Sequence, residues 1–187
     1  MKKILFVLLV LGLAITPASA FFDTFNSENG GVGVLNYNSF ANWSVSEGTV
    51  DLIGNGFFDF LPGNGLYVDL DGSTSNSGLM SSNLLVSSAY YLSFDLAGSQ
   101  RGSTETVTVK IGSDIIDVIT IASNVGFTNY TYSGFGNGAL SFLNSSNDNV
   151  GALLDNVNFN AVPEPTTLLL LGAGLIGLAG YGRKKLR

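Results

Sequence analysis

The chain has 187 residues, 14 of them acidic and 8 basic, for a net charge of -6, and it contains no Cys and no His. Those absences exclude disulfides, thiolate zinc sites, Cys nucleophiles and every centre built on imidazole, Ser-His-Asp triads included. With 45% hydrophobic and only 12% charged residues, the chain is too apolar to be disordered and too poor in Lys and Arg to bind nucleic acid.

The first twenty residues form a recognisable unit. Lys2 and Lys3 give a positive start, Ile4 to Ile15 is an uninterrupted apolar run, Pro17 breaks it, and Ala18-Ser19-Ala20 is a small-residue A-x-A site. This order predicts a helical secretory signal peptide over residues 1–20, engaged by the secretion translocon and cut after Ala20. The run is about twelve residues, short of the ~20 that span a bilayer.

Residues 21–161 are expected to be one domain. They keep only Arg101 and Lys110 against thirteen acids, because the other six cations sit at the two ends. Such a body repels DNA and other polyanions but accepts cations and neutral polymers. Its dominant pattern has period two. Leu66, Val68 and Leu70 alternate with Tyr67, Asp69 and Asp71; Tyr90, Leu92, Phe94 and Leu96 with Tyr91, Ser93 and Asp95; Val107, Val109 and Ile111 with Thr106, Thr108 and Lys110. Residues 127–132, 140–143 and 153–159 add further β-rich runs. Turn clusters separate them at 27–31, 54–56, 62–65, 71–78, 99–103 and 133–138. Eight to ten short strands without an amphipathic helix predict an all-β fold, an antiparallel β-sandwich of jelly-roll type.

A few side chains of the body stand out as candidates. Asp69 and Asp71, two apart on one strand face and followed by Gly72 and Ser73, could hold Ca²⁺, a hard cation that prefers oxygen ligands. No acid stands at the twelfth position expected of an EF-hand loop, which is Met80. Arg101, isolated among acids, should pair with a carboxylate, and Asp155 is one candidate; contact with a sugar hydroxyl is the functional alternative. Trp43, the only Trp, could stack on a sugar ring together with Tyr37, Tyr67 and Tyr91, although core packing is the commoner fate of a single Trp. Asp155 shares parity with Leu153, Val157 and Phe159, which points it at the apolar face unless a bulge turns it outward. Paired carboxylates can cleave glycosides, but no recognisable acid pair stands out, and the expectation is a protein that is not an enzyme.

The last 26 residues, 162–187, form a second address. Pro163-Glu164-Pro165 precedes fifteen uncharged residues, Thr167 to Tyr181, and then Arg183-Lys184-Lys185. At ~1.5 Å per residue the apolar stretch makes a helix of about 22 Å, short for a ~30 Å hydrocarbon core unless Arg183 snorkels and the bilayer thins. A transmembrane helix is expected, its basic end kept cytoplasmic. The G-x-G-x-x-G match at 172–177 lacks a preceding strand and a downstream acid, so it is no dinucleotide site.

Taken together, motif, apolar helix and basic tail resemble the PEP-CTERM sorting signal of exported bacterial proteins. The resemblance implies an exosortase as membrane processing partner, and a protein delivered to the cell surface or extracellular matrix of a Gram-negative bacterium that makes exopolysaccharide. The body, in 42–52, 65–72, 91–98 and 153–157, resembles galactose-binding-like β-sandwich domains, which implies glycan or surface association. The expected protein is a non-catalytic binding or structural component of a biofilm matrix. A secreted polysaccharide hydrolase and a permanently anchored surface protein are the alternatives.

Overall fold

Alternating sequence becomes strand, and all the strand pairs are antiparallel. The computed structural model describes residues 20–162 apart from 75 and 147, together with 172 and 174–176. The strands are β1 (Ala20–Asp23), β2 (Trp43–Ser46), β3 (Asp51–Gly54), β4 (Leu66–Asp69), β5 (Leu79–Ala97), β6 (Glu105–Ile111), β7 (Asp114–Ile121), β8 (Thr128–Asn144) and β9 (Leu153–Val162). They make one hydrogen-bonded sheet in the order β3-β4-β9-β5-β8-β6-β7, with β1 added to β9 and β2 to β5.

That single sheet curls until it faces itself. Phe94 on β5 is paired with Tyr130 on β8, yet its ring lies 4.9 Å from Phe142, twelve residues further along β8. At ~3.3 Å per residue a straight strand would hold them about 40 Å apart. The corner forms where β5 carries a bulge between Ser81 and Leu85, which bends a strand and sharpens its twist. There the Ser82 hydroxyl accepts from the Leu140 amide at 3.0 Å and donates to the Leu84 carbonyl at 2.8 Å, supplying partners to backbone groups at the irregularity. One layer therefore holds β1, β3, β4, β9 and the adjoining halves of β5 and β8; the other holds β2, β6, β7 and the remaining halves. The main core lies between them, built from Leu52, Val68, Leu92, Phe94, Val109, Phe142, Leu154 and Phe159, among others.

The segment 133–138, a turn cluster by composition, is not a turn but the middle of β8. Its glycines face the core because something large must come close. A Cβ on Gly136 would stand 2.7 Å from Ile111 Cγ2, and one on Gly134 3.1 Å from the Tyr90 hydroxyl oxygen.

Outside the body, Gly172 and Gly174–Ile176 are helical, and no helix among the described residues is long and apolar enough to cross a membrane. Ala18, most of the leader and the segments with Pro163, Glu164, Pro165, Arg183, Lys184 and Lys185 lie outside the described residues.

Candidate functional site

The first layer has an outer face as well as a core face, and the candidate site forms there. Asp51 pairs with Asp69 across β3 and β4, and Ile53 with Tyr67, so these four side chains share one face. The opposite parity, Leu52, Leu66 and Val68, fills the main core. On the outer face Ile53, Tyr67, Ala97 and Leu153 form a second apolar cluster, covered by Phe57, Phe60, Leu61 and Phe127. The β3–β4 loop is pinned by Tyr67, whose hydroxyl donates to Asp59 Oδ1 (3.1 Å) and accepts from the Leu61 amide (3.0 Å). Burial, offset in part by the Leu61 amide, and the adjacent Asp59 carboxylate push the Tyr67 hydroxyl up to about 12.

A pocket of about 120 Å³ opens beside this cluster, lined by Leu35, Asp51, Ile53, Phe58, Phe60, Asp69, Ser73, Arg101 and Asn149. Arg101 crosses it. Its Nη2 pairs with Asp69 Oδ2, its Nη1 donates to the Asn149 carbonyl at 2.6 Å, and its guanidinium stands over the Phe60 ring at 5.1 Å. Two of its five N–H groups are thereby committed. Asp69 is 2% exposed. Burial pushes its carboxyl up to about 8, with Arg101 pulling the other way and the carboxylates of Asp51 and Asp71 adding to the rise. Asp51 is held by the Asn36 amide (2.7 Å) and by both the amide and the hydroxyl of Ser73 (3.2 and 2.8 Å). Phe58, at φ 44° and 54% exposed, offers an open aromatic surface at the pocket.

The sequence-derived candidates therefore separate. Asp69 and Arg101 meet in the pocket, with Tyr67 beneath its loop. Arg101 pairs with Asp69 and not with Asp155. Tyr67 and Trp43 are buried, so neither ring face is open to a sugar. Trp43 sits in the main core against Phe21, Phe25 and Phe142, its Nε1 donating to Asp23 Oδ2 at 2.9 Å. Asp155 does share a face with Leu153, opposite Asp95. The bulge at Asn156, φ 51°, then sends Val157 and Phe159 to the core side, so the parity argument fails one residue after Asp155. Burial first, then the Asp95 and Asp23 carboxylates, push the Asp155 carboxyl up to about 7.

Asp71 lies behind Asp69, fully buried. Its Oδ2 accepts from the Ser146 hydroxyl (2.8 Å) and the Asp148 amide (3.2 Å), while its Oδ1 has no hydrogen-bond partner among the described residues. Both Asp69 oxygens are engaged, by Arg101 and by the Asp71 amide. Among the described residues no three His, Cys, Asp or Glu side chains converge as a metal site.

Sequence reasoning missed Asp51, Phe58, Phe60 and Asn149. The signal was the aromatic-rich 57–60 segment between two turn clusters, too apolar for a free loop and lacking strand alternation.

No curated protein matches the chain. Among solved structures it is similar to the CBM22-1 and GH10 modules of Clostridium thermocellum endo-1,4-beta-D-xylanase 10B, with 16% identity, TM-score 0.47, 77% of this chain and 28% of that chain covered. It is also similar to a family 35 carbohydrate binding module from Clostridium thermocellum (12% identity, TM-score 0.42, 77% and 99% covered). A third is the family 29 module CBM29_1 from Piromyces equi (12%, TM-score 0.44, 79% and 93%). The chain thus spans less than a third of the xylanase structure. At the other end of the sequence, residues 161–184 match the PEP-CTERM protein-sorting motif, and the chain carries that sorting signal at its C-terminus.

Proposed function

We propose that this is an exported, non-catalytic surface or matrix protein that binds extracellular polysaccharide through the Arg101 pocket and is processed by an exosortase at its C-terminal signal. The curled sheet is read as a jelly roll of galactose-binding-like type. The observation that carries the binding reading is the pocket itself. It sets a partly committed guanidinium and fixed carboxyl groups beside an exposed Phe58 ring, the combination that meets a sugar's hydroxyl edge and its apolar C–H face. At about 120 Å³ it admits one ring or the edge of one. The non-catalytic reading is supported by the occupancy of the acids: each Asp51 and Asp69 oxygen already faces a protein donor.

The test is binding of the full chain to glycans and to polysaccharide from the producing cells. Phe58→Ala, at an exposed position, should lose about tenfold in affinity with the fold intact, as should Arg101→Lys, which loses the planar fork. Retained affinity in both variants moves the site elsewhere. Release of free sugar from the polysaccharide would favour the hydrolase reading instead.

Calcium belongs to the same proposal, at Asp71 more than at Asp69. A buried carboxylate oxygen without a partner is costly, and a hard cation is one group that satisfies it.

A further inference from the structure

Phe22, Leu85, Phe135 and Val162 are exposed by 63%, 69%, 77% and 44%. The register puts them on one surface. Ala89 on β5 is paired with both Phe135 on β8 and Val162 on β9, so the three lie in one row and point the same way. Leu85 shares the parity of Ala89, and Asn158, paired with Phe22 of β1, shares that of Val162. This is the outer face of the first layer, since Tyr90, Leu92, Val157 and Phe159, of opposite parity, lie in the core.

Around these four side chains the surface carries no charge; its first acids, Asp95 and Asp155, lie toward the pocket end. β8 has no charged residue, β5 none before Asp95, and β9 none after Asp155. The one acid of β1, Asp23, is buried against Trp43. In a body with thirteen acids and two cations, a wide neutral face studded with four large apolar side chains is a departure that asks for an apolar neighbour.

Its position names that neighbour. Val162 is the last residue of β9 and is bonded directly to Pro163 of the sorting signal, with no linker between strand and motif. Ala20, where the leader is expected to end, is paired with Asn160, two residues from Val162. Both segments addressed to the membrane therefore leave the body from one patch of this face. We propose that the Val162 end of this face rests on the lipid bilayer surface while the C-terminal signal holds the protein at the membrane, with Phe22, Leu85, Phe135 and Val162 entering the interfacial region. Absence of carboxylates there removes repulsion from lipid phosphates, and the aromatic and aliphatic side chains bury apolar area. The pocket opens at the far end of the same face, since Asp69 is opposite Leu153, nine residues or about 30 Å along β9 from Val162, so a body tilted on its Val162 end keeps the pocket clear of the lipid.

The proposal rests on the sorting tail entering the bilayer, and single-cysteine labelling separates the two claims because the chain has no Cys. The full chain is reconstituted in phosphatidylcholine vesicles with an environment-sensitive fluorophore on Ser133→Cys within the face, Thr74→Cys beyond the pocket, or Leu171→Cys in the tail. Quenchers are placed in the acyl chains or in water. The face label is expected to blue-shift and lose most of its emission to the lipid quencher, as the tail label does, while the Thr74 label responds only to the aqueous one. Leu85→Glu with Phe135→Glu, both exposed positions, should return the face label to water. A tail label in lipid with a face label in water overturns the face proposal and keeps the tail reading; both labels in water overturn the tail reading. A face label shielded only as protein concentration rises points to a second copy of the chain and also overturns the proposal.

Discussion

Asp155 and Asp69 tie the stability of the fold to pH. Both carboxyls lie above the ordinary carboxylate range, at about 7 and about 8, and burial is the main cause in each. Below about pH 4 both are protonated folded or unfolded. As pH rises from there, the unfolded chain releases protons that the folded chain keeps, so stability declines until the folded groups ionise near 7 and 8, and it is flat beyond. The melting temperature should therefore be higher at pH 5 than at pH 8, and Asp155→Asn should flatten the part of the slope below about pH 7. A melting temperature that climbs over that interval contradicts the assignment. Asp71 adds a second expectation at this scale. Calcium should raise the melting temperature of the wild-type chain and not of Asp71→Asn; no change in the wild type removes calcium from the account.

The elements depend on the corner between layers. Gly136 faces Ile111 with no room for a Cβ, and overpacking of this kind costs about 1–3 kcal/mol. Gly136→Val should shift the urea midpoint down accordingly, and Ile111→Ala in the same chain should restore part of it; an unchanged midpoint would show that the layers do not meet there. This corner also marks where sequence reading stopped. Strict alternation in 90–96 and 106–111 sits inside β5 and β6, because one wet face and one dry face write period two into a strand. The glycines of 133–138 read as a turn, since composition cannot tell a glycine chosen for its φ from one chosen for close approach. Asp155 misled for a related reason: one bulge residue, Asn156, reverses parity, and no residue type announces it. At the pocket, Asp69 and Arg101 each stood out as charges in odd places. Their pairing, and the contribution of Phe58, Phe60 and Asn149, depend on long-range strand order that local pattern does not encode.

At the scale of the whole molecule, the ends and the pocket are at opposite reaches of β9. The pocket gathers where β3 and β4 add to the start of that strand. Ala20 and Val162 gather at its finish, where the leader is expected to depart and the sorting signal begins. A body held by one such pole presents the other to whatever lies outside, and severing both ends frees it without disturbing a core strand. The most direct measurement is the mass of the mature protein recovered from the cell surface and medium, alongside a Glu164→Gln variant. Phe21 should be its first residue, the apolar stretch and basic cluster should be gone, and the Glu164→Gln chain should stay in the membrane fraction uncut. Recovery of an untrimmed 187-residue chain, or normal release of the Glu164→Gln variant, would contradict the account.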